Sequence, residues 1–488
     1  MNRDILQVLV LSSLAQLAGF GKAVLITYYF GVGALLDGYY LAQAIPAMLA
    51  GVLVGFFQTG FTPLYSAHLA RGEHDEAAAL LGTAVLLAAG VGLAVSTLIS
   101  ALAPTLVAAL ASDGAAIAAP AVTALQALSF LLLLNALVDC IGLALNAHHR
   151  FAAAAAAPIV NALSASAILA AAPEWGLTNL IVGTLSGVLL QLIVVLGAAH
   201  RAGIRVARGR DAQLPKILRS GATMLPGLVL SNIAMFVPPA FAVRIGDGAV
   251  TAFSLASRLH GALTQVFAMA LSTVLLSHFA QALARNEAAQ IATSLRQGFP
   301  TVRGLGVIVA LWVALAGAGV VAMVFQRGAF DAAATSAVAA AWLWMSIGLV
   351  PIVWGIALAK VLQAMQLGGV LSKVSALSLA VLAAACTLGV AFDSLPMIAY
   401  GTVLSYAATS LVLAAAVNRR LSLDSRGKER LPSGFGIFVA LSLVGLALAQ
   451  ASTKFESTTA TVLATIAAAA TGIFVAWRYV SRRGVNGR

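Results

Sequence analysis

The sequence predicts an all-α polytopic membrane protein with about 14 transmembrane helices. These form two pseudo-symmetric six-helix lobes around a central cleft, with two extra helices at the C-terminal end. Three observations predict this. Of the 488 residues, 61% are hydrophobic and 9% charged, and the mean hydropathy of +0.99 is foreign to a soluble domain of this length. The apolar runs reach membrane length and are too long and too unalternating for barrel strands. The basic residues collect on one set of connections, as alternating spans require.

Apolar runs bounded by turn residues or charges predict spans at 5-30, 36-69, 79-111, 116-147, 151-172, 177-200 and 215-243, then at 248-284, 298-325, 333-366, 371-392, 395-418, 433-451 and 457-480. The first run is too long for a signal-peptide core and is read as a retained helix. Connections on one side carry Arg71, Arg150, Arg201, Arg205, Arg208, Arg210, Lys216, Arg219, Arg285, Arg296, Lys373, Arg419, Arg420, Arg426, Lys428 and Arg430, whereas the other side carries Arg244, Arg327 and Lys454. The positive-inside rule then places both termini in the cytoplasm. The net charge of +12 is therefore an orientation signal, and nucleic acid is not an expected partner. Cys140 and Cys386 lie in apolar runs and suggest neither a disulfide framework nor a metal site.

The longest basic connections follow the sixth and twelfth spans. They divide the chain into a lobe at 1-200, a cytoplasmic linker at 201-214, a second lobe at 215-418, a cytoplasmic loop at 419-432, and a final helix pair with its tail at 433-488. Sliding the sequence by 214 positions sets Leu41-Ala42 on Leu255-Ala256, Thr59 on Thr273 and Leu69–Glu73 on Leu283–Glu287 without a gap. Spans 2 and 8 then point the same way, which makes the repeat parallel, with its axis along the membrane normal.

Charges inside such spans cost roughly 2.5 to 3.5 kcal/mol each on insertion scales, so they mark functional positions. Lys22 lies roughly 12 Å from the outer end of span 1, and Arg258 roughly 15 Å into span 8 from the same side. A water-filled cleft between lobes would let both stay charged and attract an anion; the alternative is pairing with a buried carboxylate or carbonyls as packing contacts. Asp37, at the outer start of span 2, is expected to cap that helix or to pair with Lys22. Asp139 is the carboxylate deep in a span, read as a buried hydrogen-bonded acid or a site of ion coupling. Neither His148, His149 nor His260 has metal-ligand spacing, and no cofactor is expected. With no phosphate-binding glycine loop, no Ser-His-Asp set and only short outer loops, the chain does not read as an enzyme.

Several segments together resemble the MurJ/MviN lipid II flippases of the multidrug/oligosaccharidyl-lipid/polysaccharide exporter superfamily. They are Gly19 to Pro46, the FTP at Phe61 to Pro63, Asn146 to Asn161, the ASRL at Ala256 to Leu259, and FQRGAFD at Phe325 to Asp331. The resemblance implies a flippase of the bacterial inner membrane that carries a polyprenyl-diphosphate-linked saccharide for peptidoglycan or another envelope polysaccharide, with membrane lipids around it and no obligate oligomer. It also implies that Lys22, Arg258 and Asp37 are substrate-binding residues of the central cleft. Gln16 stands where such flippases have another arginine, Ala23 where many have an acid, and Ala50-Gly51 where they have a basic pair. The saccharide is thus open between lipid II and an exopolysaccharide or O-antigen repeat unit. A cation or drug antiporter of the same superfamily and a non-transporting scaffold of cell-envelope assembly are the rival expectations.

Overall fold

The computed structural model describes residues 3–111, 116–207, 214–222, 224–265, 288–365 and 367–420. The expected spans 433-451 and 457-480, Thr273 and the Leu283–Glu287 segment lie outside these residues. Every long regular element among the described residues is an α-helix. In order they are α1 (Arg3–Phe30), α2 (Ala34–Gly60), α3 (Thr62–Ala70), α4 (His74–Leu110), α5 (Ala118–Leu128), α6 (Leu131–Ala147), α7 (Phe151–Ala171) and α8 (Leu177–Arg201). They continue with α9 (Leu214–Ala222), α10 (Leu225–Ala242), α11 (249–265), α12 (Ala288–Phe325), α13 (Ala332–Ser346), α14 (Leu349–Ala364), α15 (Gly368–Ala391) and α16 (Leu395–Arg420). Among the described residues 9 helical spans, or up to 11 with the bent pairs, are long and apolar enough to cross a bilayer.

Two expected spans are bent, each for a local reason. The run 36-69 continues as one span, Ala34–Ala70, with a local irregularity at Phe61 where Pro63 cannot donate to the carbonyl four residues back. The run 116-147 bends by 40° between α5 and α6. There Ser96 of α4 donates to the Ser129 carbonyl at 2.8 Å and Ser100 to the Gln126 carbonyl at 2.9 Å, so carbonyls freed by the bend stay satisfied in an apolar medium. The run 333-366 bends by 48° between α13 and α14, where Pro351 removes the bond to Ile347.

The described residues pack as two units, Met1–Thr251 with Arg327–Phe330, and Ala252–Gln326 with Asp331–Arg488. In the first, α4, α5 and α6 close on a core that includes Leu80, Leu81, Ala121, Leu125, Leu132 and Ile141. The α7–α8 hairpin is fastened by Asn179, whose amide donates to the carbonyls of Leu169 and Ala172 at 3.1 and 2.6 Å. Helix α10 also packs in this unit, although the sequence division assigned its residues to the lobe at 215-418. It lies on the glycine edge of α2: a Cβ on Gly51 would overlap the Asn232 side chain, and one on Gly55 would meet Leu228 Cδ2 at 2.5 Å. Small residues let backbones approach where lipid supplies no hydrophobic drive for helix association.

The second unit centres on Ile291, Leu295, Phe299, Trp354, Leu358, Val361 and Val417, drawn from α12, α14 and α16. Asp331 caps α13 by accepting the Ala334 N–H at 2.8 Å. Outward positions such as Leu86, Leu93, Leu98, Leu163 and Ile193 are exposed apolar side chains, as expected of surfaces solvated by lipid.

Candidate substrate-binding site

The first unit brings two of the motif segments together at the turn joining α1 to α2. Gly31 sits at φ +66° in this turn, against Ala329 of the 327–330 loop. The Ala329 N–H donates to the Tyr28 carbonyl at 2.9 Å, satisfying one of the orphan acceptors at the end of α1. On the other side Gly248, at φ +89°, packs on Val32. The Gly19–Pro46 and Phe325–Asp331 segments thus meet where Tyr28 bonds Ala329, 301 positions further along the chain.

Asp37 is 1% exposed. Its Oδ2 accepts the Gly248 N–H at 2.6 Å, and its Oδ1 accepts the Thr251 N–H at 2.7 Å and the Thr251 hydroxyl at 2.6 Å. It therefore caps α11. The expectation that it caps its own helix is corrected, since α2 begins at Gly33 without a side-chain cap. A residue already inside the first turn, with its N–H bonded to the Gly33 carbonyl at 3.0 Å, stands too far along the helix to reach back to that end. Instead its negative charge meets the positive end of α11, an arrangement favourable by dipole and hydrogen bonds together.

Lys22 is half-buried on α1, beside Ala23 and Ile26, which are buried, and one turn before Thr27, whose hydroxyl bonds the carbonyls of Ala23 and Val24. Arg258 belongs to the second unit and is exposed on α11, on the strip that also carries Ser254 and Gly261, while Ala252, Phe253, Leu255, Ala256 and Leu259 are buried. Asp139 is half-buried on α6 beside the fully buried Cys140. Among the described residues no donor bonds its carboxylate, so the hydrogen-bonded acid expected there has no partner in view. Among the described residues no cluster of three or more His, Cys, Asp or Glu side chains is placed to hold a metal ion.

The sequence departures have local structural roles. Ala23 is 2% exposed and Ala50 7%, and Gly51 is the seat of Asn232. A longer basic side chain at 51 is incompatible with α10 packed this closely. Sequence reasoning missed Gly248 and Thr251 as the partners of Asp37. It also missed the bond of 2.7 Å between the Tyr39 hydroxyl of α2 and Thr184 of α8. The 214-position slide held a signal for Thr251, because it places that residue opposite Asp37.

Comparison with known proteins adds to this geometry. The family model described as lipid II flippase MurJ matches residues 26–470. A lipid II flippase MurJ of Burkholderia cenocepacia is 27% identical over 379 residues, covering 74% of this chain and 72% of that protein. Among solved structures, a lipid II flippase MurJ in an inward closed conformation superposes with a TM-score of 0.77 at 18% identity, over 97% of this chain and 99% of the other. An inward-facing multidrug resistance MATE family transporter of the MOP superfamily superposes with a TM-score of 0.68 at 15% identity, over 86% of this chain and 95% of the other. At such identities the structural likenesses speak for the fold.

Proposed function

The chain belongs to the lipid II flippase MurJ family, and we propose from that premise that it moves a polyprenyl-diphosphate-linked saccharide from the inner to the outer leaflet of a bacterial inner membrane by alternating access. The family match over residues 26–470 carries this reading, because it runs through both units rather than one motif. In the proposed cycle the lobes at 1-200 and 215-418 rock about a central cleft, with both termini in the cytoplasm. Lys22 and Arg258 hold the diphosphate by charge-assisted hydrogen bonds, the sugars occupy the cleft, and the lipid tail trails in the bilayer. A diphosphate in a low-dielectric cleft needs cations, and Lys22 and Arg258 would supply two of them.

The saccharide class is the open choice within this reading. Gln16 and Ala50-Gly51 leave the cleft less basic than the resemblance would supply, which favours a less anionic headgroup than lipid II. Depletion followed by leaflet-resolved analysis of lipid-linked intermediates tests both levels. Accumulation of lipid II on the cytoplasmic leaflet assigns peptidoglycan precursor, and accumulation of an exopolysaccharide or O-antigen unit assigns the other class. No accumulation of any polyprenyl-diphosphate sugar would remove the flippase reading.

A further inference from the structure

The face that bears the basic connections of the first unit holds a cavity of about 290 Å³ that the transport reading does not use. Its walls are the start of α4 (His74, Ala77, Ala78), Tyr65 and Leu69 of α3, His148 after α6, and the segment Gly203 to Arg205 after α8. One water needs only about 10 to 15 Å³ of such space, so the cavity has room for a polyatomic ligand.

Its lining is one-sided in charge. His74, His148 and Arg205 contribute cationic or potentially cationic groups and Tyr65 a hydroxyl, with no carboxylate in the wall. The nearby Glu73 is engaged by His68 Nδ1 at 2.6 Å. Helix α4, 37 residues long, starts at the same space, and the Asp75 and Glu76 of its first turn, outside the lining, offset part of its positive end. The segment bearing Arg205 is fastened on both sides, by Ile204 N–H to the Ala199 carbonyl at 3.0 Å and by Ala207 N–H to the Ala78 carbonyl at 3.1 Å. Tyr65 is 2% exposed, stacks on Phe61, and meets His148 Nε2 through its hydroxyl at 3.0 Å. If the hydroxyl donates to Nε2, the ring carries its hydrogen on Nδ1.

We propose that this cavity is a binding site for a phosphoryl group, held by Arg205, His148 and His74 at the positive end of α4. The inference is independent of the transport substrate. The groups around His148 support it. Burial lowers the pKa of His148 from the ordinary histidine value, and His74, Arg150 and His149 lower it further by repulsion, while the facing Tyr65 hydroxyl is neutral. Burial and repulsion therefore disfavour the charged form of His148, and a bound anion favours it. Protonation of His148 then favours binding, which strengthens as pH falls.

Two sources of a phosphoryl group fit this chemistry, a free phosphate and the headgroup of an anionic phospholipid, and the test separates them. The purified full chain in detergent is titrated with sodium phosphate against sodium chloride at equal ionic strength, reading the thermal midpoint. The same chain in nanodiscs of phosphatidylcholine with or without phosphatidic acid is read by lipid retention in native mass spectrometry. Sulfate, whose charge is constant across this range, supplies the pH profile between about pH 6 and pH 8. Saturable stabilisation by phosphate assigns a free anion, and selective retention of phosphatidic acid assigns a lipid. Either should weaken about tenfold in Arg205→Gln, an exposed loop position whose change spares the fold, and in His148→Gln. Absence of both responses, an unchanged response in Arg205→Gln, or sulfate binding that does not strengthen at low pH would overturn the site.

Discussion

Asp37 and Thr251 stand 214 positions apart in the chain, and the hydroxyl of one lies 2.6 Å from the carboxylate of the other. The same offset superposes Leu41-Ala42 on Leu255-Ala256, so the two residues occupy equivalent places at the starts of α2 and α11. The repeat thus meets itself at this point, with an acid in one copy answering a hydroxyl and a free helix start in the other.

Each hydrogen bond to a charged group contributes about 1.5 to 3 kcal/mol. Asp37→Ala should therefore lower the thermal midpoint of the purified protein strongly, and Asp37→Asn less, because the amide keeps one acceptor. Thr251→Val should cost about 1.5 to 3 kcal/mol, because Oδ1 loses the hydroxyl bond and keeps only the Thr251 N–H, and Thr251→Ser much less. In a double-mutant cycle the Asp37→Asn and Thr251→Val losses should fall short of adding. Additive losses would mean that the two side chains do not act on each other. If Asp37→Asn instead left the midpoint intact and abolished transport, its role would be toward substrate rather than α11.

The contact of Gly51 with Asn232 makes a second prediction. Gly51→Ala should destabilise the first unit by about 1 to 3 kcal/mol, the usual cost of overpacking. Asn232→Ala combined with it should restore most of the loss, since the overlap is with that side chain. A thermal midpoint unaffected by Gly51→Ala, or a loss that Asn232→Ala does not relieve, would show that α2 and α10 are not packed this closely in the membrane.

Hydropathy made the helices legible, because burial in lipid is a property of whole segments. Helix partners are a property of faces, which a mean over 18 residues erases. The all-helical class and the position of α4, α7, α8, α15 and α16 could therefore be read from the sequence, with boundaries shifted by a few residues. The bend between α5 and α6 could not, since its stability depends on Ser96 and Ser100 of another helix. Neither could the placing of α10 beside α2, which depends on Gly51 and Gly55 meeting Asn232 and Leu228. At the site, Lys22 and Arg258 stood out because a cation in an apolar run is conspicuous. The role of Asp37 was hidden, because an acid at the start of a helix reads locally as that helix's own cap. Its true partners lie more than 200 residues away.

Asp139 gives a third prediction. Its carboxylate is half-buried and has no hydrogen-bond donor among the described residues, so its removal breaks no visible contact. Asp139→Asn should leave membrane levels and the thermal midpoint close to those of the parent. Transport measured with and without an ion gradient then decides its role. Unchanged gradient dependence makes it a structural acid, and loss of gradient dependence at normal protein levels assigns it to ion coupling.

The last prediction concerns Lys22 and Arg258, one in each unit. If both grip one diphosphate, Lys22→Ala and Arg258→Ala should each severely reduce outward appearance of the sugar-lipid while the protein remains inserted and folded, because removing a cavity cation relieves a desolvation cost. If they serve only as packing contacts, the same changes should lower thermal midpoint and expression instead. Conservative replacements sharpen the distinction. Lys22→Arg should be tolerated, since a planar fork of donors still meets phosphate, whereas Arg258→Lys should lose activity where a bidentate grip is needed. Two groups acting on one ligand should also be non-additive, so the double alanine variant should be little worse than the weaker single one. Near-normal flipping by both alanine variants, measured in proteoliposomes with a defined polyprenyl-diphosphate sugar, would remove these residues from the site and leave the family fold without its proposed anion grip.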